Sequence, residues 1–201
     1  MNTTEKKVKL IFGKRGSGKS YLAKKLIAAE QRLFIWDRMG EYNQGVVFTA
    51  EEKPAFQEFF QHVYRDKFRI IYRPLHPKEE IVWISDLVYT LGDVTFLVEE
   101  IDSICTTWII EENFEAILNR GRHKNITLIG VTPAPFGIHR DLTRQAKEIY
   151  IFSTNEPRDR EYLRNLLGVE IEEKLNGLGL YEYVLWQDLP AGQNQISIGK
   201  A

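Results

Sequence analysis

The run Gly13-Lys14-Arg15-Gly16-Ser17-Gly18-Lys19-Ser20 fits the spacing G-x-x-x-x-G-K-[ST] without a gap, the pattern of a phosphate-binding loop. Its residue types match the chemistry. Glycines let the backbone turn back so that N–H groups point inward at phosphate oxygens. A helix opening near Lys19 adds its positive end. Lys19 is expected to reach the β- and γ-phosphates, and the Ser20 hydroxyl to ligate Mg²⁺. Tyr21, next along that helix, completes the nucleotide-binding set. The plain alternative is a chance glycine-rich turn, but the four fixed positions recur by accident in well under ~2% of chains this long.

The second chemical feature is a carboxylate pair, Glu99-Glu100, directly after the apolar run Val94–Val98. A buried strand ending in acids delivers them to the ligand crevice of an open sheet. Glu99 is expected to hold the Mg²⁺ of a bound ATP through water. Glu100 is expected to activate the attacking water as general base. The plain alternative, a solvated start to the next helix, fits the apolar strand less well. Aspartate is commoner at the first position, so Asp102 competes weakly with Glu99 for the metal. A second acid here separates motor-type ATPases from GTPases and small-molecule kinases.

These groups need a scaffold, and the apolar periodicity supplies one. Val8–Phe12, Leu33–Trp36, Phe68–Tyr72, Val94–Val98, Ile126–Val131 and Ile149–Phe152 read as strands, most of them buried, with Val46–Phe48 a short extra one. Helical spacing appears at Leu22/Leu26, at Phe56/Phe59/Phe60/Val63, and at Ile81/Ile84/Val88/Leu91. It recurs at Phe114/Ile117/Leu118 and around Tyr162 to Leu167. Leu180–Trp186 and Gln195–Ile198, split by the turn Pro190-Ala191-Gly192, read as a closing hairpin. The alternation predicts an α/β fold: a RecA-like P-loop core with a mostly parallel sheet, helices on both faces and a C-terminal β-hairpin. One domain spans 1–201, with the core at about 8–168 and the extension and hairpin at about 169–201.

Composition sets bounds. The chain has 201 residues, 43% hydrophobic and 27% charged, which excludes wholesale disorder. Its net charge of −1 gives nucleic acid no bulk attraction, so any such contact must come from local patches or a ring that concentrates them. The single cysteine, Cys105, has no partner for an intramolecular disulfide and reads as a small buried hydrophobe. The polar, lysine-bearing start predicts no signal peptide. No run approaches the roughly 18 apolar residues of a membrane helix. Trp36, Trp83, Trp108 and Trp186 lie in or beside predicted elements and are expected in the core rather than stacked on bases. Arg120, Arg122, His123 and Lys124, taken by themselves, read as a solvated helix end favoured by the dipole.

No N-K-x-D guanine-reading motif and no L-S-G-G-Q signature is present. What is present resembles the HerA/FtsK superfamily of translocation ATPases, and among them the small genome-packaging ATPases of icosahedral viruses with an internal membrane. The resemblance spans about residues 8 to 168. It is carried by Gly13–Ser20, Ile35-Trp36-Asp37-Arg38-Met39-Gly40-Glu41-Tyr42, and Glu99-Glu100. To these are added Asn119-Arg120-Gly121-Arg122-His123-Lys124-Asn125-Ile126 and Phe152-Ser153-Thr154-Asn155-Glu156-Pro157-Arg158-Asp159. It implies a homo-oligomeric ring that pumps double-stranded DNA with ATP, in host cytoplasm or virion, with capsid or viral membrane proteins as further partners. It also implies that Arg122, with Arg120 as the alternative, reaches the neighbouring subunit's γ-phosphate. The family often has a glutamine sensor after the next strand. Here stand Thr132-Pro133-Ala134-Pro135; Thr132 can still bond a water or phosphate, in a loop stiffened by two prolines. His139, Arg140, Arg144 and Lys147 are either surface solvation or the lining of a DNA-filled pore. The competing functions are a phage or protein-assembly ATPase of the zonula-occludens-toxin type, a nucleotide-gated assembly factor, and a small-molecule kinase, which the second acid disfavours.

Overall fold

The computed structural model describes residues 7–190 and 193–201. Residues 1–6 of the polar start, and Ala191 and Gly192 of the expected hairpin turn, lie outside the described residues. The strands are β1 (Val8–Phe12), β2 (Arg32–Trp36), β3 (Val46–Thr49), β4 (Phe68–Arg73), β5 (Val94–Val98), β6 (Ile126–Thr132), β7 (Ala146–Phe152), β8 (Glu182–Asp188) and β9 (Asn194–Lys200). They form one sheet in the order β3-β4-β2-β5-β6-β1-β7-β8-β9. The first seven strands of that order run parallel, and β8 and β9 add as an antiparallel hairpin on β7. Because these strands are covered on both faces, β5 and β6 are buried at every position, as parallel strands usually are.

The cover is lopsided. Alternate residues Ile11, Leu33, Ile35, Leu97, Ile129 and Val131 pack with Leu22, Ala23 and Ile27 of α1 (Lys19–Leu26) and its C-cap. The other face carries α2 (Lys53–Val63), α3 (Pro77–Leu91), α4 (Glu112–Arg120), α5 (Arg140–Gln145), α6 (Pro157–Leu167) and α7 (Glu170–Asn176). Aromatic pairs dominate there: Phe34 meets Phe56 and Phe96 edge-on, and Tyr72 stacks on Trp36 and meets Trp83 edge-on.

Several expectations are corrected. Trp36 is fully buried, but Trp108 is 88% exposed, beside Ile109 at 67%. β7 begins three residues before Ile149, because Glu148 is buried against Lys9, Lys7 and Tyr150 instead of ending the strand. The hairpin starts at Glu182; Leu180 and Tyr181 stay outside it, with Tyr181 at φ 61. Helix α7 was not expected. Only Ile171 and Leu175 are buried on it, too few apolar positions to register as a period.

Candidate active site

Strand β1 leads into the loop and α1 leaves it. Gly13 is required by close approach: a Cβ there would lie 2.5 Å from Phe152 Cβ. Gly18, the N-cap of α1, sits at φ 108 and offers no side-chain cap, and no acid stands in the first helical turn. Those N–H groups are therefore left for an anion. The Lys14 amide is pinned to the Ser153 carbonyl beyond β7, and Lys19 Nζ spans the loop to the Lys14 carbonyl at 3.0 Å. Ser17 is buried, and its hydroxyl has no hydrogen-bond partner among the described residues. A buried unpaired hydroxyl at the loop's centre is costly unless a ligand satisfies it.

A cavity of about 540 Å³ opens over this loop, lined by Arg15, Gly16, Gly18, Lys19, Ser20 and Tyr21. Glu41, Glu99, Glu100, Thr132 and Tyr181, the last from just before the C-terminal hairpin, line it as well. Cationic and acidic groups thus share one cavity. Burial depresses the Lys19 pKa, opposed by Glu99, Glu41, Glu100 and Asp102.

Glu99 directly follows β5 and is only 5% exposed. Burial pushes its carboxyl up to about 7, with Glu41 and Asp37 adding to the rise, while the Tyr42 hydrogen bond and Lys19 hold it down. The Tyr42 hydroxyl donates to Glu99 Oε1. Tyr42 is held in turn by Asp37, fully buried, which accepts from the Glu41 and Tyr42 amides at 2.8 and 3.2 Å and pairs with Arg73. A desolvated acid with one neutral donor suits a divalent cation. No group of three or more metal-ligating side chains occurs among the described residues. Mg²⁺ takes one or two carboxylates plus phosphates and water. Ser20 and Glu99 line the same cavity, so the expected pair fits the ion.

Glu100 is set differently. It occupies the left-handed region at φ 49, ψ 52, before a 3₁₀ turn at Ile101–Ser103. A non-glycine residue there is strained, and such strain concentrates at functional positions. Its carboxylate is half-exposed and Oε2 lies 3.3 Å from Arg38 Nη1. The two neighbouring acids thus have separate environments, one dry and one wet.

Thr132 borders the cavity, but its hydroxyl donates to Asp102 Oδ1 at 2.7 Å and accepts from the Ala134 amide. Its one proton is thus committed to Asp102, which does not itself line the cavity.

Arg122 and Arg120 are not brought to this cavity. They lie before β6, whose far end, Thr132, borders it. The six residue steps from Ile126 to Thr132 span about 20 Å. Arg122 is exposed, 3.3 Å from His123, while Arg120 and Lys124 rest on the Tyr89 ring. The expected basic cluster after Thr132 is split. His139 caps α5, Arg144 pairs with Asp141, and Lys147 pairs with Asp188 at the start of β7, on the far edge of the sheet. Arg140 is exposed.

Sequence reasoning assigned no role to Arg38, Glu41, Tyr42 or Tyr181. The first three lie in the Ile35–Tyr42 stretch. Tyr181 carries no local signal, since only the hairpin's return brings its ring to 3.3 Å from the Cβ position of Gly18.

No protein-family model and no curated protein matches the chain. Solved structures do. The genome packaging NTPase B204 from Sulfolobus turreted icosahedral virus 2, in complex with ATP-gammaS, superposes with TM-score 0.78 at 18% identity, over 96% of this chain and 98% of that one. The same protein with AMPPCP gives 0.76 at 20% identity, over 96% and 98%. The N-terminal domain of zonular occludens toxin from Neisseria meningitidis gives 0.56 at 15%, over 98% and 95%. The fold is therefore that of the P-loop NTPases, a nine-stranded, mostly parallel sheet with a C-terminal antiparallel hairpin.

Proposed function

We propose that this chain hydrolyses ATP and uses it to move double-stranded DNA, packaging a viral genome into a capsid as a ring of identical subunits. The observation that carries the ATPase half is the single cavity that joins Lys19 and the open end of α1 to Glu99 and Glu100. Lys19 and the loop amides hold the phosphates, Ser17 and Ser20 add hydroxyls, and Tyr21 and Tyr181 flank the opening as stacking surfaces for the base. Glu100 takes the proton of the attacking water. Ser20 and Glu99 would hold a Mg²⁺, which would neutralise charge on the phosphates. Arg122 acts on the nucleotide of the next subunit, since the sheet separates it from its own.

The packaging half is supported by the likeness to the viral NTPase, which covers 96% of this chain and 98% of that one. The site of action is then host cytoplasm or virion, with capsid or viral membrane proteins as docking partners. The assembly-ATPase reading has the toxin-domain likeness in its favour, at a clearly lower TM-score.

ATP turnover against duplex DNA, at low and high salt, tests the proposal. A motor that passes every sequence grips phosphates, so stimulation is expected to be indifferent to sequence and to fall steeply with salt. If duplex DNA neither binds the ATP-loaded protein nor accelerates hydrolysis at low salt, the packaging half fails.

A further inference from the structure

Trp108 and Ile109 stand uncovered, with Phe136 half-exposed near them. They are held in place and not left loose. The Ile109 amide donates to the Thr106 carbonyl and hydroxyl at 3.3 and 3.2 Å, closing a turn that contains Trp108. Thr106 bridges Ile138, and the Thr107 hydroxyl donates to the Phe136 carbonyl at 3.4 Å. Beyond the turn, Glu111 is engaged in capping α4, accepting from the Asn113 and Phe114 amides, while Glu112 is exposed. A fixed apolar knob with an acid close by therefore lies past the carboxyl ends of β5 and β6. Apolar groups displayed together in this way mark a contact surface.

The amino edge of the sheet holds a shape to match. A cavity of about 490 Å³ opens between the last turns of α2 and α3, with Phe60, Leu87 and Leu91 as its apolar lining. Arg65 lies over the ring of Tyr64, which also lines it. Arg120 and Lys124 lie over Tyr89, the chain neighbour of the lining Thr90. Asp93, the acid of the lining, is paired with Arg32 and accepts from the Asn125 side chain. The exposed Asp66 and Asp86 are the other acids close by in sequence, so three cations face two uncommitted acids. Phe60 stacks on Phe56 and rests against Tyr64, whose ring Arg65 also covers. With those aromatic faces taken, the cavity suits an inserted side chain better than a stacked base.

We infer that the Trp108–Ile109 turn of one copy of this chain inserts into the amino-edge cavity of the next copy, with Glu112 facing Arg65 and the cations beside it. The inference rests on the ring reading above and names the contact that builds the ring. Knob and cavity lie at opposite edges of the sheet, so one chain cannot fill its own cavity. The pairing is therefore head-to-tail, the kind of contact that closes rings. It is continuous with the proposed reach of Arg122, which leaves from the same amino edge toward a nucleotide cavity on the same carboxyl edge as the turn. Tryptophan in a desolvated pocket is among the strongest anchors an interface can have. A turn already fixed by hydrogen bonds loses little freedom on docking, and the opposite charges steer the encounter.

The test is sedimentation velocity of the full chain with Mg²⁺ and a non-hydrolysable ATP analogue. Trp108→Ala removes the knob, and Thr90→Phe fills the mouth of the cavity from an exposed position. Each is expected to raise the concentration needed for assembly at least ~tenfold. Both are expected to bind a fluorescent ATP analogue as wild type does, which reports that they are folded. Mixed in equal amounts, they share one intact knob and one intact cavity, so pairs are expected that grow no further. Glu112→Arg is expected to weaken assembly, and adding Arg65→Glu to restore it. Assembly of Trp108→Ala at the wild-type concentration overturns the inference, as does a mixture that stays monomeric or grows to the wild-type size. With wild type assembling, those outcomes leave the ring reading standing. Wild type that stays monomeric with nucleotide removes the ring reading and the inference together. Loss of duplex DNA binding by monomeric Thr90→Phe, with assembly unaffected, overturns the inference and gives the cavity to a polynucleotide instead.

Discussion

The two edges of the sheet contrast sharply. At the carboxyl edge of β1, β5 and β6, polar groups are buried or strained: Glu99 in a dry pocket, Glu100 at positive φ, Ser17 without a partner. At the opposite edge, Arg122, Lys124 and Arg144 lie on the surface, and the contacts they make are weak ones to His123, Tyr89 and Asp141. The groups that cost the fold stability gather at the first edge. The cationic edge costs nothing and is held by little. In the proposed ring, the groups preorganised at one edge of a chain would meet those displayed at the other edge of its neighbour.

The largest effect that would break the contrast is at Lys19. Lys19→Ala is expected to abolish ATP binding and hydrolysis together, a loss of at least ~10²-fold in turnover; normal hydrolysis would remove the site altogether. Glu100→Gln is expected to keep ATP bound while turnover falls by ~10²–10⁴-fold, read by nucleotide binding alongside single-turnover kinetics. If Glu99→Gln gives that phenotype instead, the roles of the two acids are exchanged.

Glu99 sharpens the contrast through stability. Its folded pKa of about 7 lies above that of the unfolded chain, so the buried carboxyl favours the fold in its neutral form. Stability is lost as pH rises from about 4.5 through 7, when the acid ionises in place. Metal-free Glu99→Gln protein is therefore expected to be more stable than wild type at pH 8, by roughly 3 kcal/mol, and by little at pH 5. Thermal unfolding at the two pH values measures it; equal shifts would mean Glu99 is not dry. The smallest effect belongs to the opposite edge. Arg120→Ala loses only its stacking on Tyr89 and is expected to destabilise by ~0.5–1 kcal/mol at either pH.

How far the sequence foretold this depended on distance along the chain. The Gly13–Ser20 loop and the Val94–Glu100 strand end are contiguous, so spacing alone identified them. Tyr42 and Glu99 are 57 positions apart, and Arg73 and Asp37 are 36 apart; no local pattern marks such pairs. Thr132 looked free because Asp102, its partner, enters from another strand end. Trp108 was misread for the opposite reason: an apolar type suggested burial, but the segment after the 3₁₀ turn leaves it uncovered. Lys147 and Arg140 are close in sequence, yet α5 runs between them, which divided a presumed patch.

The divided site is tested most directly by mixing. Arg122→Ala and Glu100→Gln chains, each expected to bind ATP normally and to turn it over slowly, are combined in equal amounts and the ATPase rate is followed. The account predicts a mixed rate well above either variant alone, since some interfaces pair an intact Arg122 with an intact Glu100. A mixture no faster than its components, from protein that stays monomeric in sedimentation with ATP, would contradict it.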